Sequence, residues 1–349
     1  MVLTKTTRFN AEQQAVYNAV ITSVTGNHGF SFFIQSAGGC GKTFVCNTIA
    51  AAVHAQGKVV LCVASSGIAA LLLTGGCTAH SRFKIPINIH EDSFCAIKKG
   101  TDLHKVLQHT QLVIWDEVPM QHRHCIEALD RSLQDLLTSN KPFGGITFLF
   151  GGDFRQTLPV IPKASQEQIV GATLHRSALW SNVQILHLSK NMRLHDGEEE
   201  WANFLLDIGN GRYQTSTNPT ATLPNGMRCG DNVESLINFV YPNLKDSNTH
   251  SDQFFLERAI LSCRNDDVDD LNHAILSVFP GDLKLYHSSD KIVQEEGADA
   301  AHAPVYPVEF LNSLKPAGLP LSKLCLKVGC PLMLLCNLDP SKGLCNCNS

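Results

Sequence analysis

Two kinds of apolar pattern alternate along the first half of the chain. Short, nearly unbroken apolar runs occur at Phe30–Ile34, Lys58–Ala64, Gln111–Trp115, Gly145–Phe150 and Val183–Leu188. Their length and their polar or glycine boundaries predict five buried strands. Between them, Phe44–Val53 and Ile68–Leu73 show helical spacing. A further helix starts near residue 9, with Asn10 at an N-cap position and Gln13 three residues on, the signature of a capping box. Strands buried on both faces and separated by helices make an α/β domain, a doubly wound parallel sheet, which we place at residues 1–188.

The pattern weakens beyond residue 188. Glu198–Asp207 reads as an amphipathic helix with Trp201, Phe204 and Leu205 on one side. Residues 212–232, rich in Thr, Asn, Pro and Gly, predict an exposed loop. Ala259–Cys263 reads as a strand, and Arg264–Asp267 as the cap of a helix over Val268–Val278. The polar run 287–304 is expected to be mobile, and Lys323–Leu335 to hold two short strands. This region, 189–349, is expected to be a second, incomplete domain. Only Arg193 in it carries chemistry on its own merits.

The chemistry concentrates where the first strand ends. Gln35-Ser36-Ala37-Gly38-Gly39-Cys40-Gly41-Lys42-Thr43 joins that strand to the next helix, the layout of a P-loop. Glycines let successive N–H groups face a phosphate, and the helix N-terminus adds partial positive charge. Lys42 would reach the β- and γ-phosphates of a nucleotide, and the Thr43 hydroxyl would hold Mg²⁺. Ser36 stands where the first glycine of the pattern is expected, and a serine does not adopt positive φ cheaply.

Trp115-Asp116-Glu117 closes a buried strand with two acids, the arrangement of a Walker B motif: Asp116 for Mg²⁺, Glu117 to polarise the attacking water. A pair of acids after a strand can also be a plain helix cap. Gln156, after the strand 145–150, can donate and accept near a γ-phosphate without adding charge. Gln13 or Gln14 could reach a purine edge, or either could be a solvated glutamine. Ser65-Ser66-Gly67 and the loop 74–81, with Thr78 and His80, should emerge at the carboxyl ends of strands. Their hydroxyls and N–H groups suit phosphates of a nucleic-acid strand, and as isolated polar loops they are ordinary turns.

Composition narrows the class only slightly. The 349 residues are 44% hydrophobic and 17% charged, ordinary for a globular chain of about two domains. A net charge of −4 lends no support to nucleic-acid binding and leaves room for a local basic groove. No apolar run is long enough to span a bilayer and Met1–Arg8 has no signal-peptide core, so no membrane partner and an intracellular location are expected, with the nucleus favoured over mitochondria though the residues themselves do not reveal the compartment. Thirteen cysteines in a reducing compartment are chiefly small buried hydrophobes. The tail group Cys325, Cys330, Cys336, Cys345 and Cys347 lacks facing Cys-x-x-Cys pairs, so no structural zinc is assigned.

Taken together, the motifs resemble the petite-integration-frequency (Pif) family of superfamily 1B DNA helicases, in particular its Helitron-like branch. Phe9-Asn10-Ala11-Glu12-Gln13 is similar to the adenine-reading Q motif, which favours Gln13 over Gln14. Residues 35–43 are similar to motif I, Ala64–Leu72 to motif Ia, and Gly75–Pro86 to the next strand-contacting motif. Trp115-Asp116-Glu117 is similar to motif II, Gly151–Pro159 to motif III, and Leu188–Arg193 to motif IV with its arginine finger. Segments at 264–272, 309–314 and 334–346 match as well, with Cys336 and Cys347 standing where the family has Arg and Gly, and Cys40 where it has Thr.

The resemblance implies two RecA-like domains with ATP between them, the second incomplete here. It implies an ATP-dependent helicase moving 5′→3′ on single-stranded DNA, in repair, recombination or telomere maintenance. The inserted small barrel, motifs V and VI and a second arginine are expected after Ser349, so the chain is read as C-terminally truncated. The other classes in play are a transposon-derived fragment that binds ATP or DNA without unwinding, and a small-molecule P-loop kinase or GTPase. The sequence leaves the oligomeric state open.

Overall fold

The computed structural model describes residues 6–195, 197–212, 227, 229–246, 251–262, 264–289, 307–313 and 322–334. The chain divides into two compact units, Met1–Ala221 and Thr222–Ser349. The first unit therefore runs past the boundary expected at residue 188 and includes Arg193.

In the first unit six parallel strands form one sheet: β1 (Ser31–Ser36), β2 (Val59–Ala64), β3 (Cys77–Thr78), β4 (Thr110–Asp116), β5 (Thr147–Gly152) and β6 (Val183–Leu188), in the spatial order β3-β2-β4-β5-β1-β6. Five are the expected strands. The sixth, β3, lies in a segment read from sequence as loop. It is two residues long, too short for any periodicity, and exists only because Cys77 and Thr78 pair with Val63 and Ala64.

Successive side chains of a strand face opposite ways, and the two halves of the core follow from that. Phe32, Ile34, Cys62, Ile114 and Leu149 pack on the helices Ala11–Thr25 and Lys42–Ala55. Phe33, Val63, Val113, Trp115 and Phe148 pack on the other face, against Ile126, Leu129 and Leu133 of the helix Arg123–Leu137. Each such burial stabilises by roughly 1.5–3 kcal/mol, and Trp115→Ala would cost about 3–5 kcal/mol because the cavity is not refilled. This double cover holds the carboxyl ends of β1, β4 and β5 rigidly side by side.

The second unit contains the helices Val233–Val240, Asp252–Leu256, Asn265–Val278 and Val308–Ser313, and an antiparallel pair, β7 (Lys284–His287) with β8 (Lys323–Leu326). Ile237, Leu244 and Phe279 are its buried core. Among the described residues the strand expected at 259–263 is not formed. Ala259–Ser262 have no ladder partner among them and Leu261 is 90% exposed, while Cys263 lies outside the described residues. An apolar run becomes a strand only where a neighbour accepts its hydrogen bonds. The following helix starts at Asn265 instead of Val268. Of the two strands expected in 323–335, β8 is the one found among the described residues, Leu335 lying outside them, and its partner β7 was not foreseen. Most of the loops 212–232 and 287–304, and all of 335–349, lie outside the described residues. No helix among the described residues is long and apolar enough to cross a membrane.

Candidate functional site

β1 ends at Ser36, and the chain turns through Ala37–Gly41 into the helix Lys42–Ala55. Gly39 and Gly41 have φ of 85° and 80°, the left-handed region in which a side chain is strained. Gly41 is the N-cap and has no side chain to offer, so no side-chain acceptor caps the first-turn N–H groups. That is an anion site in waiting. Ser36, the departure from the glycine pattern, is buried in extended conformation and paired with Leu188. The position does not use positive φ, so serine costs the backbone nothing there.

Lys42 Nζ lies 2.6 Å from Asp116 Oδ1 and 2.8 Å from Glu117 Oε1. Burial works against its charge, but the two carboxylates outweigh it and hold the ammonium above its ordinary pKa. Reaching from the β1 loop to the end of β4, Lys42 passes β5 at Gly151. A Cβ on Gly151 would stand 3.1 Å from both Asp116 Oδ1 and Lys42 Cδ, so only glycine leaves the passage clear. Asp116, 3% exposed, also accepts the Glu117 N–H at 2.9 Å. Glu117 itself sits at φ 55°, a conformation that non-glycine residues hold mainly where the surroundings impose it.

Around this ion triad opens a cleft of about 450 Å³ lined by Ser36 to Phe44, Glu117, Gln156, Met192 and Arg193. Gln156 is exposed to it and lies beside Asp153, which is forked onto Arg155 at 2.8 and 3.2 Å. Arg193 is exposed, with its backbone N–H on Asn191 Oδ1 at 2.9 Å. The structure thus brings Gly38, Gly39, Cys40, Gly41, Lys42, Thr43, Glu117, Gln156 and Arg193 to one cleft, with Asp116 held against Lys42.

Gln13 does not line the cleft. It is 2% exposed; its Oε1 accepts the Asn10 N–H at 3.1 Å and its Nε2 donates to Cys40 O at 3.1 Å. Both ends of the amide are used to close the capping box and brace the P-loop, so it is not presented to a purine. Gln14 is bonded to Asn18 at 2.8 Å and does not line the cleft. Cys40 likewise serves through its carbonyl, and burial pushes its thiol pKa up.

The residues expected to touch DNA lie at the ends of β2 and β3. Ser66 caps the helix Gly67–Leu71 through the Ala69 N–H, and Thr78 caps the helix Ala79–Phe83 through the Ser81 N–H. The Ser65 hydroxyl accepts from Trp115 Nε1 at 3.2 Å. His80 is half-buried, and burial lowers its pKa. Sequence reasoning missed Gly151, Asn191 and Glu12, whose roles depend on neighbours distant in sequence. For the tail cysteines, Cys336, Cys345 and Cys347 lie outside the described residues, and no three His, Cys, Asp or Glu among the described residues cluster as metal ligands.

Residues 8–219 match the family model described as PIF1-like helicase. The chain belongs to that family. Residues 309–348 match the 2B domain of DNA helicase Pif1, so sequence of the inserted barrel expected after Ser349 is already present in the tail. Among curated relatives of this PIF1-like chain, the ATP-dependent DNA helicase Pif1 of Psychrobacter is 31% identical over 181 residues, covering 51% of this chain and 27% of the relative. The human ATP-dependent DNA helicase PIF1 is 25% identical over 344 residues, covering 97% of this chain and 45% of the relative. The chain spans less than half the length of either. Bacteroides Pif1 bound to ssDNA has the same fold, with a TM-score of 0.61 at 24% identity over 97% of this chain and 67% of that one. Pif1 helicase from Candida albicans gives 0.60 at 22%, again over 97% and 67%.

Proposed function

We propose that the first unit binds and hydrolyses ATP with Mg²⁺, and that hydrolysis drives 5′→3′ movement on single-stranded DNA and duplex unwinding, the activity of an ATP-dependent DNA helicase. The observation that carries it is the meeting of Lys42, Asp116, Glu117, Gln156 and Arg193 at one uncapped helix N-terminus. Membership of the PIF1-like family removes the kinase or GTPase reading. The names of the relatives and the DNA-bound Bacteroides neighbour support the choice of DNA.

Thr43 and Asp116 offer a hydroxyl and a carboxylate, hard oxygen donors suited to Mg²⁺. Two such ligands leave most of an octahedral shell open, which fits an ion carried in by phosphate oxygens. When bound, Mg²⁺ neutralises charge building on the phosphates. Entry of the triphosphate gives Lys42 phosphate oxygens in place of the two carboxylates. Glu117 is thereby released to accept the proton of the attacking water as the bond from γ-phosphorus to the β-bridging oxygen breaks. Gln156 orients that water or the γ-phosphate, and Arg193 offsets the developing charge.

The test is ATP turnover with and without a single-stranded oligonucleotide, alongside Lys42→Ala. Stimulation by the oligonucleotide and loss of turnover in the variant, with oligonucleotide binding still measurable, are expected. Unchanged turnover in Lys42→Ala would remove the assignment, and a strand-displacement assay separates a motor from a chain that only binds.

A further inference from the structure

The capping helix Ala11–Thr25 sends a first-turn acid toward a segment far along the chain. Glu12 accepts from the Ser189 N–H at 2.7 Å, from the Ser189 hydroxyl, and from the Lys190 N–H at 3.4 Å. Those donors, the Ser189 hydroxyl first and its N–H second, hold the Glu12 carboxyl below the usual carboxylate range. From there the chain crosses the P-loop in a few residues. Asn191 lies so close to Gly39 that a Cβ on the glycine would collide with it, and Met192 N–H donates to Gly39 O at 2.9 Å. Asn191 Oδ1 then accepts the Arg193 N–H at 2.9 Å. Each residue from 189 to 193 is therefore tied either to the P-loop, to Glu12 or to its neighbour in this strap.

We infer that Glu12 is a positioning residue: its carboxylate pins the strap Ser189–Arg193 across the phosphate-binding loop and so sets where Arg193 stands at the cleft. The inference rests on the proposed ATPase reading for its catalytic consequence, and on the hydrogen bonds alone for the pinning. A carboxylate suits the task because it is acceptor-only with two oxygens, enough for three converging donors, and hydrogen bonds to a charged acceptor are stronger than neutral ones. A glutamine can keep an acceptor oxygen for the two N–H groups and turn its amide toward the Ser189 hydroxyl, which can accept, but it loses the charge that strengthens all three bonds. The competing role, a first-turn acid that merely complements the helix dipole, needs no partner at residue 189.

Two readouts separate these roles. In Glu12→Ala, the amides of Ser189, Lys190 and Met192 should exchange hydrogen about tenfold faster or more, while β1 and β4 stay protected. Maximal ATP turnover should fall by about 10- to 100-fold with nucleotide affinity nearly unchanged, the scale of a catalytic group displaced by about 1 Å. Adding Glu12→Ala to Arg193→Ala should lower turnover no further. Glu12→Gln should fall between wild type and alanine in both readouts. Unchanged exchange at 189–192, or an undiminished loss in the Arg193→Ala background, would overturn the inference. If the wild-type chain turns over no ATP, the proposed function fails, and the exchange measurement still decides the pinning.

Discussion

The phosphate-binding cleft and the rim at the ends of β2 and β3 are made from the same unit, a strand running into a helix, and they are finished in opposite ways. At the cleft the helix begins at a glycine with no capping side chain, and charged groups are buried against one another. At the rim Ser66 and Thr78 cap the helices that follow them, and His80 is held toward its neutral form. An uncapped N-terminus keeps its donors for a ligand. A capped one has already committed a donor to the fold. The rim residues are therefore structural first, and any DNA phosphate there must be met by the remaining N–H groups and exposed side chains. The two regions are joined through Ser65, whose N–H donates to Asp116 O at 3.1 Å.

The largest separation between the regions should come from Arg193→Ala. If it acts as an arginine finger, turnover should drop by about 10³–10⁵-fold, with single-strand affinity within a few-fold of wild type. A small loss in single-turnover hydrolysis would break the contrast.

Gly151→Ala should come next. The added methyl crowds Lys42 and Asp116 at 3.1 Å, and overpacking of this kind costs about 1–3 kcal/mol. Nucleotide affinity by calorimetry should fall about tenfold while DNA binding is spared; a normal affinity would show that Lys42 does not need that passage.

Ser66→Ala reverses the pattern. Loss of the cap should destabilise the short helix by about 1 kcal/mol and weaken oligonucleotide binding a few-fold, leaving DNA-independent turnover intact. Equal losses in both would mean the rim and cleft do not act separately.

The smallest effect is in pH. Burial lowers the pKa of His80, His122, His124 and His175. The unfolded chain then binds more protons than the folded one as pH falls through about 6.5, so stability rises with pH across that window and is lost on acidification. Thermal midpoints from pH 7.5 down to 5.5 should decline, and His80→Gln should shallow the decline. Lys42, held above its ordinary pKa, keeps its charge throughout this range.

Much of the cleft was readable because its signals are local. Gly39, Gly41, Lys42 and Thr43 lie within five positions, Asp116 and Glu117 close a continuous apolar run, and the Asn10–Gln13 capping box formed as its spacing implied. The second unit was less readable. Ala259–Ser262 had the composition of a strand, but the described residues provide it no ladder. β3 had no legible pattern and formed because β2 offered an edge. Gln13 had the right identity for one task and was given another, since Asn10 and Cys40 take both ends of its amide.

The order of amino acids determined the sheet, its two apolar faces, the phosphate loop and the acids at the end of β4, because each is encoded by neighbours within a turn or a strand. Tertiary structure alone decided that Lys42 would be gripped by Asp116 and Glu117, that Gly151 would be the gap it passes through, and that Glu12 would hold Ser189 across 177 positions of chain. The reason is that a hydrogen bond or ion pair between distant residues carries no periodicity; its partners are chosen only when packed strands and helices bring them within about 3 Å.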